Sequence, residues 1–275
     1  VTSATSWYDL ERDGGVSHLR LNRPDAFNSL LPAFWTELPA VIADLDDGRT
    51  RALVISSTGK HFCAGLDLSV FAGEGGLFGD DAREPGRRRA QTYAGIRLFQ
   101  TAFTALAQAR FPVLAAIQGG CIGGGLGIAS ACDLRYATTD AFFVLGETNI
   151  GITADVGQLQ RLPRVMPDAI VRELAYRGHR LPAARAEQIG FLNGTYADHA
   201  TLVDGVLGIA AEVAGHSPLA VWGAKTAIDY AHEHSVADGL DQIALWQAAM
   251  YHRTDSAEAM TAKAEGRAPA YDDLP

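Results

Sequence analysis

Long apolar runs are missing from this chain of 275 residues. None approaches the roughly 20 residues that span a bilayer, so no membrane association is expected. Basic residues are outnumbered, 23 Lys and Arg against 32 Asp and Glu, for a net charge of -9. No basic face is evident, which argues against a nucleic-acid binder. The one basic run, Arg87-Arg88-Arg89, reads as a solvated helix start, with a phosphate contact as the alternative. Cysteine is scarce as well. Cys63, Cys121 and Cys132 are odd in number, lie in apolar or glycine-rich surroundings and lack metal-ligand spacing. Reduced, buried thiols, a cytoplasmic setting and no bound metal are expected. The opening residues, Val1-Thr2-Ser3-Ala4-Thr5-Ser6, do not read as a signal peptide, nor Asp273-Leu274-Pro275 as a peroxisomal address.

Several catalytic signatures are absent too. No G-x-G-x-x-G follows a strand and no G-x-x-x-x-G-K-[ST] occurs, which weakens dinucleotide and P-loop readings. There is no G-x-S-x-G elbow. His232-Glu233-His234 lacks the i, i+4 histidines of a zincin and reads as an exposed helix end.

Two glycine-containing turns are present, about sixty residues apart: His61-Phe62-Cys63-Ala64-Gly65-Leu66-Asp67 and Gly119-Gly120-Cys121-Ile122-Gly123-Gly124-Gly125. Each follows a strand-like run, and the second opens a helix. Small residues let two backbone N–H groups approach one ligand oxygen, and a helix N-terminus adds its positive dipole end. That is how an oxyanion hole is built. Eight residues separate Glu147 from Asp155, in a stretch that leaves a strand and enters a helix. If it loops back, both carboxyl groups reach one cavity, as an enolate mechanism requires. The competing readings stay open: Asp155 with Gln158 has the form of a capping box, and Glu147 suits a plain strand end.

Elsewhere, strands are expected at 16–21, with half-buried alternation, and at 52–56, 113–117, 134–137 and 141–144. Helices are expected at 32–45, 91–108 and 124–131, then at 155–165, 168–176, 182–188, 200–214, 218–234 and 238–251. Strands alternating with helices imply an α/β architecture with parallel pairing. Residues 69–89 are glycine-rich and read as a mobile flap, the alternative being a plain insertion.

Leu21-Asn22-Arg23-Pro24, Phe62-Cys63-Ala64-Gly65-Leu66-Asp67-Leu68, Gly119-Gly120-Cys121-Ile122-Gly123-Gly124-Gly125, Cys132-Asp133 and Leu159-Gln160-Arg161-Leu162-Pro163 resemble the crotonase superfamily, the enoyl-CoA hydratase/isomerase family. The resemblance runs along essentially the whole chain. It implies an α/β spiral of ββα units over 1–215 and a helical oligomerisation region over 216–275, assembled as a trimer or dimer of trimers. It also implies an acyl-CoA thioester substrate and no separate cofactor. By motif position, the N–H groups of Ala64 and Gly124 form the oxyanion hole. Ala26, Leu66, Asp67 and Gly123 line the substrate and coenzyme A path. Lys263 or Arg267 meets the 3′-phosphate, from the same or a neighbouring subunit.

Within the family, hydratases carry a glutamate where this chain has Gly127. The stretch from Gly146 to Pro163 is more similar to dienoyl-CoA isomerases, in which the positions of Glu147 and Asp155 hold the proton-transfer pair. A third acid of that subfamily is replaced by Gly127, which removes a negative charge and is expected to widen the pocket. The favoured activity is a double-bond shift in an unsaturated acyl-CoA. An enoyl-CoA hydratase, a non-catalytic acyl-CoA binder and a related hydrolase are the rivals.

Overall fold

The computed structural model describes residues 7–67, 84–251 and 253–275. Most of the expected flap, its residues 69–83, lies outside them. Residues 84–89 open a helix earlier than predicted. Glu84 accepts hydrogen bonds from the Gly86 and Arg87 N–H groups, and Pro85 occupies the first turn, where its missing N–H does no harm. Arg87, Arg88 and Arg89 are exposed there.

The hairpin of β1 (Tyr8–Asp13) and β2 (Val16–Leu21) starts a larger sheet. From β2 onward the pairing is parallel, through β3 (Ala52–Ser57), β4 (Val113–Ile117), β6 (Leu134–Thr138) and β9 (Gly194–Tyr196). A smaller sheet holds β5 (Gly120–Ile122), β7 (Phe142–Val144) and β8 (Arg180–Pro182). β1 was not anticipated, because its exposed, charge-rich sequence lacks apolar alternation. β2 is more deeply buried than predicted. Its polar residues find partners in and just before β3: His18 Nε2 lies 2.7 Å from Ser56 Oγ, and Ser17 Oγ 2.9 Å from Thr50 Oγ1.

The chain repeats one pattern: a strand in the larger sheet, a short strand in the smaller, then a helix. β4 leads through β5 into α3 (Gly124–Ala131), and β6 through β7 into α4 (Gln158–Val165). β3 leads through the single bridge of Cys63 with Cys121 towards α2 (Pro85–Gln108). This is the α/β spiral expected from the motifs. After α4, the helices α5 (Asp168–Arg177) and α6 (Ala183–Gln188) flank β8 in the chain.

Every residue of α3 is buried. Its small side chains are required because aromatic rings from α1 (Pro32–Leu45) and α2 press on it. Trp35 stacks on Phe99 at 4.5 Å and meets Phe103 edge-on at 5.2 Å. α7 (His199–Ala214) covers the other side of the sheet, placing Leu202, Val206 and Ala210 against Val54 and Leu114.

The C-terminal helices are α8 (Pro218–Ala231), α9 (Val236–Met250) and α10 (Arg253–Glu265). α8 is pinned to the core by Lys225, whose Nζ donates to Asp133 Oδ2 at 2.8 Å and the Phe111 carbonyl at 3.1 Å. Trp222 meets Trp246 of α9 edge-on at 5.0 Å. α9 buries none of its residues. Beyond α10 the tail returns to the start of β3, where Arg51 binds the Tyr271 carbonyl and Asp273.

Candidate active site

The two glycine-containing turns are stitched together by backbone. Phe62 N–H donates to the Gln118 carbonyl at 2.8 Å, Cys63 N–H to Gly120 at 3.2 Å, and Ile122 N–H back to Cys63 at 2.9 Å. His61 Nδ1 accepts from Gly120 N–H at 2.9 Å. Burial, with Lys60 and Arg180 nearby, holds His61 below the usual histidine pKa, so it keeps the neutral form that this acceptor role needs. The N-terminus of α3 stands directly behind the second turn.

Ala64 does not supply a free donor. Its N–H donates to the Phe27 carbonyl at 2.9 Å, because the first turn forms a ladder with 27–30. The expected pairing of Ala64 with Gly124 is corrected accordingly. The Leu66 and Gly124 N–H groups, by contrast, have no acceptor among the described residues. Gly65 between them has φ +91°, and a Cβ there would stand 3.0 Å from the Ile122 carbonyl oxygen and 3.3 Å from Gly124 N. The motif position missed Leu66 because the ladder is invisible in sequence.

Asp67 is tied into the fold. It accepts from Ser29 Oγ at 2.8 Å and pairs with Arg23 at 3.2 Å. Ala26 is half-buried, at the end of a single 3₁₀ turn over Pro24–Ala26. Asn28 braces the same corner, accepting from Arg23 N–H and donating to the Thr58 and His61 carbonyls.

The loop between Glu147 and Asp155 closes on itself, the Ile152 N–H donating to the Glu147 carbonyl at 3.1 Å, and leaves Asp155 near enough for its charge to act on Glu147. The expectation that both carboxyl groups line one cavity is not met, since Glu147 lines it and Asp155 does not. Glu147 opens the 3₁₀ turn Glu147–Ile150 after β7. It also lines a largely apolar cavity of about 360 Å³ with Leu145, Ala154, Leu159 and Val171. Burial pushes its pKa above the usual carboxylate range, and the charge of Asp155 adds to the rise. Asp155 is exposed at the outer side, held by Gln100 of α2, whose Nε2 donates to its carbonyl at 2.7 Å. Partial desolvation of its carboxyl raises its pKa as well. The capping-box reading of Asp155 fails. α4 begins at Gln158 behind Gly157, with no side-chain cap, and the predicted start at 155 was three residues early.

Gly127 does not widen the pocket. A Cβ on it would lie 2.4 Å from Phe103, whose ring fills that space. Gly127→Asp is therefore expected to overpack α3 against α2 and lower stability by about 1–3 kcal/mol. Thermal unfolding of the variant checks this, and a melting temperature equal to the parent would refute it.

The cysteines take no part in the chemistry. Burial pushes the Cys63 and Cys132 thiols up to about 12 and raises Cys121 as well, so none is a thiolate near neutrality. Arg135, which sequence reasoning missed, caps the carbonyl end of α3. Its Nη1 donates to Cys132 at 2.5 Å and Ala129 at 3.3 Å. An arginine just beyond the helix was the available signal.

Arg267 is held by its own neighbours, its Nη1 lying 2.5 Å from Glu258 Oε1 and its Nε 2.6 Å from Glu265. Lys263 is exposed, with no ion pair among the described residues. The tail that follows both is pinned by Arg51, at the opposite end of β3 from the first glycine-containing turn. A contact with the coenzyme site of their own subunit is not supported by this placement.

Residues 11–274 match the family described as enoyl-CoA hydratase/isomerase. The chain belongs to the enoyl-CoA hydratase/isomerase family. It is 38% identical to the peroxisomal Delta(3,5)-Delta(2,4)-dienoyl-CoA isomerase of Arabidopsis thaliana, over 94% of this chain and 93% of that one. It is also 38% identical to the mitochondrial Delta(3,5)-Delta(2,4)-dienoyl-CoA isomerase of Mus musculus, over 92% of this chain and 77% of that one. The crystal structure of an enoyl-CoA hydratase from Bacillus anthracis superposes with a TM-score of 0.85 at 29% identity, covering 97% of this family member and 99% of that chain. The cytoplasmic expectation is overturned by the peroxisomal and mitochondrial relatives. Buried thiols stay reduced wherever a chain is folded, so they carried no address.

Proposed function

We propose that this family member is a dienoyl-CoA isomerase. The observation that carries the reading is the junction of the two turns: the Leu66 and Gly124 N–H groups have no acceptor among the described residues, Gly65 packs against the Gly124 nitrogen ahead of α3, and the Glu147 carboxyl lies beside Gly123. The thioester oxygen of an unsaturated acyl-CoA accepts from both donors. Asp155 removes a proton from the carbon next to the thioester, and the electron pair spreads into a dienolate stabilised at that oxygen. Glu147 gives its proton to the distal carbon, and the double bonds move one step closer to the thioester. Nothing is oxidised or reduced, so the shift itself calls for no redox cofactor. The environments suit these roles. Burial favours the protonated form of Glu147, the more deeply buried. Each turnover leaves the proton on Asp155 and a carboxylate at Glu147, and the pair is reset when exposed Asp155 releases its proton to solvent and Glu147 takes one up.

A 3,5-dienoyl-CoA is expected to gain the absorbance of a conjugated 2,4-dienoyl ester. Crotonyl-CoA is expected to lose its enoyl band slowly, because Gly127 cannot activate water. Fast hydration without a dienoyl shift would favour a hydratase, and binding without either reaction a non-catalytic acyl-CoA binder.

The same reading includes assembly. Ile228, Val236, Leu240, Leu245 and Met260 are exposed along the C-terminal helices, a patch that favours burial between copies. A closed trimer or a dimer of trimers is expected to scatter light as three or six times 29.2 kDa. In that assembly Lys263 would reach a neighbour's coenzyme phosphate. A stable monomer with full acyl-CoA affinity would refute both.

A further inference from the structure

We propose that Gln158 is a positioning residue that selects which oxygen of Glu147 carries the transferred proton. The inference rests on the reading of Glu147 as the distal proton donor and adds the group that aims it. Gln158 opens α4 and is only 1% exposed. Its Nε2 donates to Glu147 Oε1 at 3.1 Å and to the Gly123 carbonyl at 3.2 Å. One amide thus links the proton donor to the residue preceding the Gly124 donor. An oxygen that accepts from an N–H is the poorer seat for a proton, so the proton settles on Oε2. Glu147 Oε2 is buried and has no hydrogen-bond partner among the described residues, and neither does Gln158 Oε1. Oε2 is thus the carboxyl oxygen for which no side-chain donor among the described residues competes. Gln158 is neutral, so it orients Glu147 without a further charge. The charge that raises Glu147 belongs to Asp155. Asp168 and Arg172 of α5 line the same cavity, Arg161 of α4 is turned to Val156 and Thr104, Arg97 of α2 is bonded to Gln100, and α3 offers no titratable side chain.

The test is the pH dependence of dienoyl-CoA isomerisation in Gln158→Met and Gln158→Glu. Gln158→Met loses a side-chain donor that adds to the Glu147 and Gly146 backbone N–H groups in favouring the carboxylate, so Glu147 holds its proton to higher pH. The alkaline limb of kcat is expected to move up. The rate at the optimum is expected to fall about tenfold to a hundredfold from misplacement of the reacting group, with KM unchanged. Gln158→Glu, matched in size, sets a second carboxyl against Glu147. The last proton of that pair leaves at higher pH, so the limb again moves up. A merely structural role would lower the stability of Gln158→Met and leave its limb in place, with Gln158→Glu alone shifted by its added charge. An inactive Glu147→Gln enzyme beside Gln158→Met with an unmoved limb overturns this inference alone. A fully active Glu147→Gln enzyme overturns the reading beneath it as well.

Discussion

Glu147→Gln is expected to lower kcat for a 3,5-dienoyl-CoA by about 10²–10⁴-fold, the contribution of a positioned acid or base. Affinity for the CoA ester should barely change, because the amide keeps the size and the contact with Gln158. Asp155→Asn is expected to lose activity on the same scale, since the proposed shift needs a base at one end of the diene as much as an acid at the other. Stability should move the other way at Glu147. Its folded pKa is raised by burial, so the native state binds the proton more tightly than the unfolded chain. That contribution is full below the unfolded pKa and is lost as pH rises through the folded one. The uncharged amide of the variant resembles the protonated carboxyl at every pH. The variant should therefore unfold at a temperature equal to or above the parent's at pH 8, with the difference shrinking towards pH 5. A catalytically normal enzyme, or one destabilised more at pH 8 than at pH 5, would refute the assignment.

Exchange of substrate protons offers a separate view of the same pair. Asp155 is exposed and Glu147 largely enclosed. Solvent deuterium should enter through the carbon next to the thioester, even when the distal transfer is blocked by Glu147→Gln.

Much of this arrangement was legible in the residues. Short apolar runs bounded by Gly, Pro and Asn marked the strands of the sheet, and 3.6-residue periodicity marked α1 and α7. The glycines of the two turns announced a close backbone approach. What escaped was set by contacts distant in sequence. Motif position pointed to Ala64 as the donor and to Leu66 as a lining residue, and only the ladder with 27–30 shows that the Ala64 N–H is spent. Gly127 looked like a loss of volume, but the ring that fills it comes from Phe103. Asp155 with Gln158 has the letters of a cap, yet Gly157 turns the chain so that the glutamine reaches inward to Glu147. α10 was missed because its apolar residues are few and Ala262 is its one buried side chain.

The turn itself supplies the other large expected effect. Gly65→Ala is expected to reduce kcat/KM by about 10²–10³-fold, the range for losing one oxyanion donor. Two causes act together. At φ +91° an alanine is strained by about 1–3 kcal/mol. Its methyl would also stand 3.0 Å from the Ile122 carbonyl oxygen and 3.3 Å from Gly124 N, in the space between the two donors. The turns must then part, and the donors can no longer converge on one oxygen. Gly14→Ala separates the causes. Gly14 lies in the β1–β2 turn at φ +54°, and its Cβ would meet nothing within 4 Å. It should share a destabilisation of the same order and keep full activity. Thermal unfolding and initial rates on both variants, measured well below their melting temperatures, decide the matter. A folded Gly65→Ala enzyme as active as Gly14→Ala would show that the thioester oxygen is held elsewhere.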